Sequence, residues 1–162
     1  MKNTILFEEH QRFSQWWLWL FLGALGVFAL YGFYQQIILG KPFGSKPMSD
    51  WGLIVFLVFT AAFISMFYFM TLSTKITEKT IHIRFFPFVN KTIPWNDVEK
   101  AEVVRYGFVG GWGIRLGTQY GTAYNMSGNI GLAIQLKSGV KYLLGTQKEE
   151  EVSVLLNKIS LD

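Results

Sequence analysis

Two long apolar runs dominate the first half of the chain. Residues 13–40 and 51–72 contain no Asp, Glu, Lys or Arg. About 20 helical residues, at about 1.5 Å of rise each, cross the roughly 30 Å hydrocarbon core of a bilayer. The sequence therefore predicts transmembrane helices over about residues 14–39 and 51–72. Two prolines and one glycine in residues 41–50 break the helix, so we expect a loop at residues 40–50 and a helical hairpin over residues 13–72.

The ends of both runs carry amphipathic aromatic residues of the kind that lie at lipid headgroups. Trp16, Trp17 and Trp19 open the first run, and Trp51 opens the second. A retained anchor is favoured over a cleaved signal peptide, because the apolar run exceeds the usual core of about 7 to 15 residues and acidic residues precede it.

Basic residues predict how the hairpin is oriented. They are more numerous on the two outer flanks, at Lys2, Arg12, Lys75, Lys79 and Arg84, than in the loop, at Lys41 and Lys46. Because cytoplasmic flanks carry more Lys and Arg, we expect both termini in the cytoplasm and a multi-pass protein of the cell (inner) membrane. Residues 1–12 would then be a short N-terminal cytoplasmic segment.

After residue 72 the pattern changes to alternation of polar and apolar residues. STKITEKTIHIRFF predicts two strands that turn at Glu78 and Lys79, and further strands follow at about 87–93, 98–106, 107–128, 130–136 and 140–146. A capping box at Thr146 and Glu149 then opens a helix whose apolar residues recur at helical spacing. These apolar positions are Val152, Leu155, Leu156 and Ile159. We expect about seven strands closed by a C-terminal helix, and hence an α+β membrane protein.

Three segments resemble the bacterial pleckstrin-homology-like (PH-like) membrane proteins. They are KITEKTIHIRFFPF, the motif IPWNDV at residues 93–98, and GLAIQLKSGVKYLLGTQKEEEVSVLL. The resemblance implies a PH-like cytoplasmic domain over residues 73–162, with a bent β-barrel or sandwich of about seven strands and a helix that plugs one open end. It implies a fold and no agreed activity.

The segment GFVGGWGIRLGTQYGTAYNMSG, at residues 107–128, is unusually rich in glycine. It matches neither G-x-x-x-x-G-K-S/T nor G-x-G-x-x-G, because Gly117 follows Gly111 and Gly113 one residue too late. The predicted continuation is strand rather than a helix whose N-terminus could hold an anion. We interpret the glycines as structural, in a strand that bends sharply.

Composition offers little support for catalysis. There is no cysteine, and the two histidines are far apart in sequence, so thiolate sites, zinc sites and a histidine base lack their residues. Asp97, Glu99 and Glu102 fit an ordinary solvated strand edge. We expect no cofactor, no metal and no enzymatic activity. Acidic residues are interspersed among the basic residues and the net charge is only +4, so we expect no nucleic-acid partner.

Two sets of residues are candidates for binding. A patch for a peptide, a headgroup or a base would combine flat aromatic faces with a cation, although core positions are an alternative for its aromatics. This candidate patch is Trp112, Arg115, Tyr120 and Tyr124. The candidate membrane-surface contacts are Lys75, Lys79, Arg84 and Lys91.

Three function classes remain open. The leading hypothesis is a noncatalytic, membrane-anchored adaptor whose sheet or barrel rim binds a partner protein. A module that senses lipid headgroups is the alternative, and an enzyme of unknown type is the third. The partners expected are the bilayer and either another protein or a second copy bound through the helices or the sheet.

Overall fold

A computed structural model describes residues 4–107 and 109–159 of the chain. It divides into two compact units, a helical unit of Ser14–Phe69 and a β-unit of Met1–Phe13 with Met70–Asp162. The β-unit is therefore built from two separate pieces of sequence, with the helical unit inserted between them.

The helical unit contains the two predicted apolar helices. Helix α1 covers Trp16–Phe33 and continues through a π-helical turn at Tyr34–Ile38, and helix α2 covers Asp50–Phe69. Both are long and apolar enough to span a membrane. Helix α2 ends three residues before the predicted end because Thr71 already begins a strand. Because the start of this strand is apolar and follows an apolar helix directly, the composition does not change at the boundary between helix and strand.

Few residues of the two helices are buried. They are Leu22, Ala29 and Gly32 on α1 and Leu53 and Thr60 on α2. Gly26 of α1 lies against Ile64 of α2, whereas Phe43 of the loop covers Gly32. Many other large apolar side chains of both helices are exposed, including Phe21, Phe28, Val55 and Phe59. An exposed apolar surface of this extent is unfavourable in water and suits a lipid environment.

One glutamine organises the loop of the hairpin. The Gln36 side chain donates to the Met48 carbonyl at 2.9 Å and to the Asp50 carboxylate at 2.7 Å, and it accepts from the Phe43 amide at 3.3 Å. Its neighbour Gln35 donates to the Pro42 carbonyl at 3.2 Å. These bonds satisfy backbone groups that the prolines and the helix ends leave without intrahelical partners.

The first sheet of the β-unit has four antiparallel strands in sequence order. They are β1 (Ile5–Arg12), β2 (Thr71–Thr77), β3 (Thr80–Phe86) and β4 (Val89–Pro94). Strand β1 was not predicted, since the sequence reading assigned residues 1–12 to a separate segment. Its buried face carries Glu9 and Gln11 beside Phe7, so apolar periodicity does not reveal it.

The second sheet has five strands in the order β5-β8-β9-β7-β6. They are β5 (Val98–Arg105), β6 (Gly113–Thr118), β7 (Gly121–Asn125), β8 (Ile130–Leu136) and β9 (Lys141–Gly145). All neighbours are antiparallel except β7 and β9, which pair in parallel. The glycine-rich segment thus supplies two strands where one was expected.

Gly121 is a position that only glycine fits in this sheet. Its φ is +75°, and a Cβ there would lie 2.2 Å from the Lys141 carbonyl oxygen. The turn between β6 and β7 therefore approaches the β9 backbone more closely than any side chain allows.

Helix α3 (Glu149–Ile159) contacts strands β1, β5 and β8. Val152 and Leu155 are buried, Leu156 and Ile159 are half-buried, and Glu150 is exposed, so the predicted apolar face is present. The α+β class and the C-terminal helix are confirmed. The strand prediction was incomplete, since residues 4–107 and 109–159 form nine strands in two open sheets rather than about seven in a bent barrel or sandwich.

Buried polar bonds attach β1 to the segment that leads into α3. The Glu9 carboxylate accepts from the Thr146 hydroxyl at 2.6 Å and from the Gln147 amide at 2.9 Å, and the Gln11 side chain donates to the Gly145 carbonyl at 2.7 Å. The predicted capping box takes a different form. The Thr146 hydroxyl accepts from the Lys148 amide at 3.0 Å, and Glu149 pairs with Arg105 at 3.2 Å.

These contacts predict unequal effects at two adjacent glutamates. Replacing the buried Glu9 with alanine leaves Thr146 and Gln147 donors without an acceptor, so we expect a loss of roughly 2 to 4 kcal/mol in the free energy of unfolding. Glu8 pairs with Lys75 at the surface, and Glu8→Ala is the matched control with little expected effect. Denaturant unfolding of the full chain in detergent measures both, and equal effects would show that β1 is not anchored through Glu9.

Candidate functional site

Strand β6 forms one outer edge of the second sheet. It pairs with β7 on one side, and no strand of residues 4–107 or 109–159 pairs with its other side. Leu116, in the middle of β6, is 79% exposed, which is the highest exposure among the large hydrophobic residues described in the β-unit. An exposed apolar side chain on an open strand edge is a surface that a second strand can cover.

Two residues of the candidate patch meet beside this edge. The Arg115 guanidinium donates to the Trp112 carbonyl at 3.1 Å and folds over Gly111. The side chains of Arg115 and Trp112 are both exposed. The turn before β6 therefore presents an indole and a cation next to the exposed leucine.

Tyr120 occupies a different place, at the tip of the β6–β7 hairpin. It is half-buried and packs against the small core cluster of Tyr106, Ala123 and Leu143. It also lines an open groove of about 260 Å³ on the second sheet. The charged residues of that groove are Lys100, Glu102 and Lys141. Lys100 and Glu102 pair with each other at 2.8 Å, which reduces the charge available to a ligand.

Tyr124 lies in the interior together with a lysine of the first sheet. Its ring stacks on Tyr142 with centroids 6.4 Å apart, and the Lys91 ammonium lies 4.3 Å from the centroid of the Tyr142 ring. Lys91 also donates a hydrogen bond to the Tyr142 hydroxyl. Because β4 carries Lys91 and β9 carries Tyr142, this contact joins the two sheets. Lys91, a predicted membrane-surface contact, thus contributes to an inter-sheet contact instead, and Tyr124 occupies the core position that was the alternative to a surface patch.

The remaining candidate cations are spread along the first sheet. Lys75 is half-buried and pairs with Glu8 at 3.0 Å, Lys79 lies in the β2–β3 turn, and Arg84 lies in β3 with its guanidinium 5.6 Å from the Phe86 ring. Thr71 and Thr77, at the two ends of β2, are about 20 Å apart at roughly 3.3 Å per residue. Lys79 and Arg84 are therefore near opposite ends of the sheet rather than in one cluster.

The glycine-rich segment also borders a small cavity of about 200 Å³. Its lining includes Tyr106, Trp112, Asn125 and Gly128. The Tyr106 hydroxyl donates to the Gly128 carbonyl at 3.2 Å and accepts from the Asn125 amide at 3.3 Å. Strands β6 and β7 lie within the segment and β8 follows it, so the loop-to-helix arrangement of a phosphate site does not form there.

No cluster of metal ligands is found in the described part of the chain. Residues 4–107 and 109–159 contain no group of three or more His, Asp or Glu side chains placed to hold an ion.

Sequence reasoning missed three exposed apolar residues of the β-unit. They are Leu116 and, at the β3–β4 turn, Phe86 and Phe88, which are 40% and 58% exposed. The only signal in the sequence was the run FFPF, where proline interrupts an apolar stretch too short to be a core strand. Strand pairing was needed to show that its rings lie at a sheet end.

The chain matches no family model, no curated protein and no solved structure. Its function therefore has to be inferred from the arrangement of its own residues.

The inter-sheet contact predicts a pKa change at Tyr124. Burial raises the pKa of Tyr124, and the positive charge of Lys91 opposes that rise. Lys91→Met removes the opposing charge, so we expect the pKa of Tyr124 to rise further. The stability contributed by neutral Tyr124 is present below the ordinary tyrosine pKa and is lost as the pH rises through the raised value.

Absorbance of tyrosinate during alkaline titration measures this pKa shift. Subtracting the titration curve of the Tyr124→Phe protein from that of the protein with Tyr124 gives the titration of Tyr124 alone. Lys75→Met is the matched control, because Lys75 pairs with Glu8 instead. A lower pKa of Tyr124 in Lys91→Met would contradict the geometry.

Proposed function

We propose that this protein is a noncatalytic, membrane-anchored PH-like adaptor that binds an extended segment of a partner protein along strand β6. The open outer edge of β6, with the highly exposed Leu116, is the observation that supports this function most directly. The helical hairpin keeps the adaptor at the membrane, and the β-unit presents the edge.

The PH-like assignment rests on the three segments that resemble that family and on the element order of a helical hairpin, two sheets and a C-terminal helix. In the part of the chain that the resemblance covers, the described residues form eight strands, β2 to β9, where about seven are implied. The β6–β7 hairpin replaces the single strand expected at residues 107–128 and extends the second sheet beyond β9.

An edge strand binds peptides through its backbone. The amide and carbonyl groups on the open side of β6 can continue the ladder into a docked strand, and alternate side chains then provide selectivity. The β6–β7 register is regular from Gly113 to Arg115 and shifts before Thr118. The docked segment would therefore be short, with apolar contacts to Leu116 and Trp112 and an acidic residue near Arg115.

The arrangement of the cations favours the adaptor over a headgroup sensor. A specific headgroup site needs several cations that converge, whereas Lys75 pairs with Glu8 and Lys91 contacts Tyr142. Lys79 and Arg84 lie near opposite ends of the sheet.

Strand pairing supports a hairpin whose two ends emerge on one side of the membrane. Strand β1 precedes α1, β2 follows α2, and the two strands pair directly along their lengths. One sheet cannot be divided by a bilayer, so the chain must cross an even number of times. Together with the basic flanks, this supports the proposal that the β-unit is cytoplasmic.

Cysteine labelling tests this orientation, because the chain has no cysteine of its own. We expect Ser45→Cys, in the exposed loop between the helices, to react with a membrane-impermeant thiol reagent on intact cells. Ser138→Cys, in the exposed β8–β9 turn, should react only after the cells are opened. The reverse pattern would contradict the orientation, and labelling of both in intact cells would contradict the membrane hairpin.

Photo-crosslinking tests the β6 edge. A photoreactive amino acid at Leu116 should form a crosslinked product of defined mass in native membranes, because a docked strand would cover that side chain. The same amino acid at Val140, which is 45% exposed in the β8–β9 turn, is the matched control and should form none.

Competition then decides whether the crosslinked product reports specific binding. Excess untagged protein carrying Val140→Lys should suppress the product, whereas Leu116→Lys protein should not, because a charge on the edge discourages strand addition. Equal suppression by both variants would exclude the β6 edge as the binding surface. Mass spectrometry of the product distinguishes another protein from a second copy of this chain.

A further inference from the structure

The strand register brings three chain segments together at one end of the first sheet. Arg12, the last residue of β1, pairs with Thr71, the first residue of β2, and Thr71 pairs with Phe86, the last residue of β3. Adjacent strands lie about 4.8 Å apart, so these three backbones are direct neighbours. The turn that follows Phe86 therefore starts at the end of the sheet that connects to the helices.

Chain length restricts how far this end can lie from the second helix. Helix α2 ends at Phe69, and Met70 alone separates it from Thr71. A residue spans at most about 3.6 Å, so the Cα atom of Thr71 lies within roughly 7 Å of the helix end. Adding one strand spacing places the Phe86 backbone within roughly 12 Å of that helix end, whatever the angle between helix and sheet.

The β3–β4 turn has the composition of a membrane-interface contact. Phe86 and Phe88 are exposed on either side of Pro87, and the Arg84 guanidinium lies 5.6 Å from the Phe86 ring. Aromatic rings are favourable at the boundary between headgroups and acyl chains, and a neighbouring cation suits phosphate groups there. The β2–β3 turn, at the opposite end of the sheet, carries Glu78 and Lys79 instead.

We propose that the turn of residues 86–88 inserts its phenylalanine rings into the interfacial region of the same bilayer that the helices cross. This inference rests on the membrane anchoring in the proposed function, and it does not depend on the β6 edge. The turn gives the β-unit an additional point of contact with lipid beside its two covalent connections. The β2–β3 end of the first sheet would then face away from the lipid surface.

Fluorescence quenching in proteoliposomes of phosphatidylcholine and phosphatidylglycerol tests the insertion. The cysteine-free chain allows single labels with an environment-sensitive fluorophore at Phe88→Cys and, as the matched turn control, at Lys79→Cys. Lipids with a spin-label quencher just below the headgroup should quench the label at position 88 at least about twofold more than the label at 79. Equal quenching at the two positions would overturn the proposal.

A third label separates failure of this inference from failure of the anchoring. Val58→Cys lies near the middle of α2 and should be quenched by lipids whose spin label is near the bilayer centre. Quenching at 58 without preferential quenching at 88 would overturn the turn insertion and retain the anchored hairpin. Absence of quenching at 58 would overturn both.

A second measurement places the label outside the turn, so that a protein with both phenylalanines can be compared with one that lacks them. A label at Asn90→Cys, an exposed β4 position that pairs with Arg84, reports how close this end of the sheet is to lipid. Changing Phe86 and Phe88 together to serine should reduce its quenching to the level seen at position 79. Unchanged quenching would show that the rings do not hold the turn in the bilayer. The proposal would also be overturned if a copurified protein, rather than lipid, covered the label at position 88.

Discussion

The pairing of β1 with β2 is the constraint from which the rest of the arrangement follows. Arg12 and Thr71 are neighbours in the ladder although 58 residues separate them in sequence, and both helices lie in that interval. The helical unit must therefore leave and return at adjacent positions of one sheet. An antiparallel hairpin of two helices meets this requirement with short connections.

Strand β1 is held by polar bonds as well as by the ladder. Glu9 and Gln11 are buried, and their side chains satisfy donors and an acceptor at the β9–α3 junction. A buried carboxylate is costly unless it is well hydrogen-bonded, so this contact disfavours any alternative register that moves Glu9 away from Thr146. The segment that enters the first helix is thereby coupled directly to the start of the C-terminal helix.

The two proposed contacts use different ends of the β-unit. The β3–β4 turn belongs to the first sheet and lies beside the connections to the helices, whereas β6 is the outer edge of the second sheet. Lys91 and Tyr142 join the sheets between them. Since lipid contact and partner contact involve separate residues, variants such as Phe88→Ser and Leu116→Lys can be combined without removing a shared group.

The sequence alone determined the two apolar helices, the α+β class and the apolar face of α3, because each depends on a local periodicity or on uninterrupted apolar length. Val152 and Leu155 are buried as their spacing predicts. Tertiary structure decided the features that depend on pairing between distant segments. Strand β1 has glutamate and glutamine on its inner face, and only the partners at Thr146, Gln147 and Gly145 make those positions interior.

The candidate sites also combine features that the sequence shows with features that only the tertiary structure decides. Aromatic and basic residue types were visible in sequence, but Tyr124 became interior through stacking on Tyr142, while Leu116 became the most exposed large apolar side chain described in the β-unit because β6 is an edge strand. Exposure in a sheet depends on strand order, and strand order is set by contacts between residues far apart in the chain. Local sequence patterns carry no information about which strand will lie at the edge of the sheet.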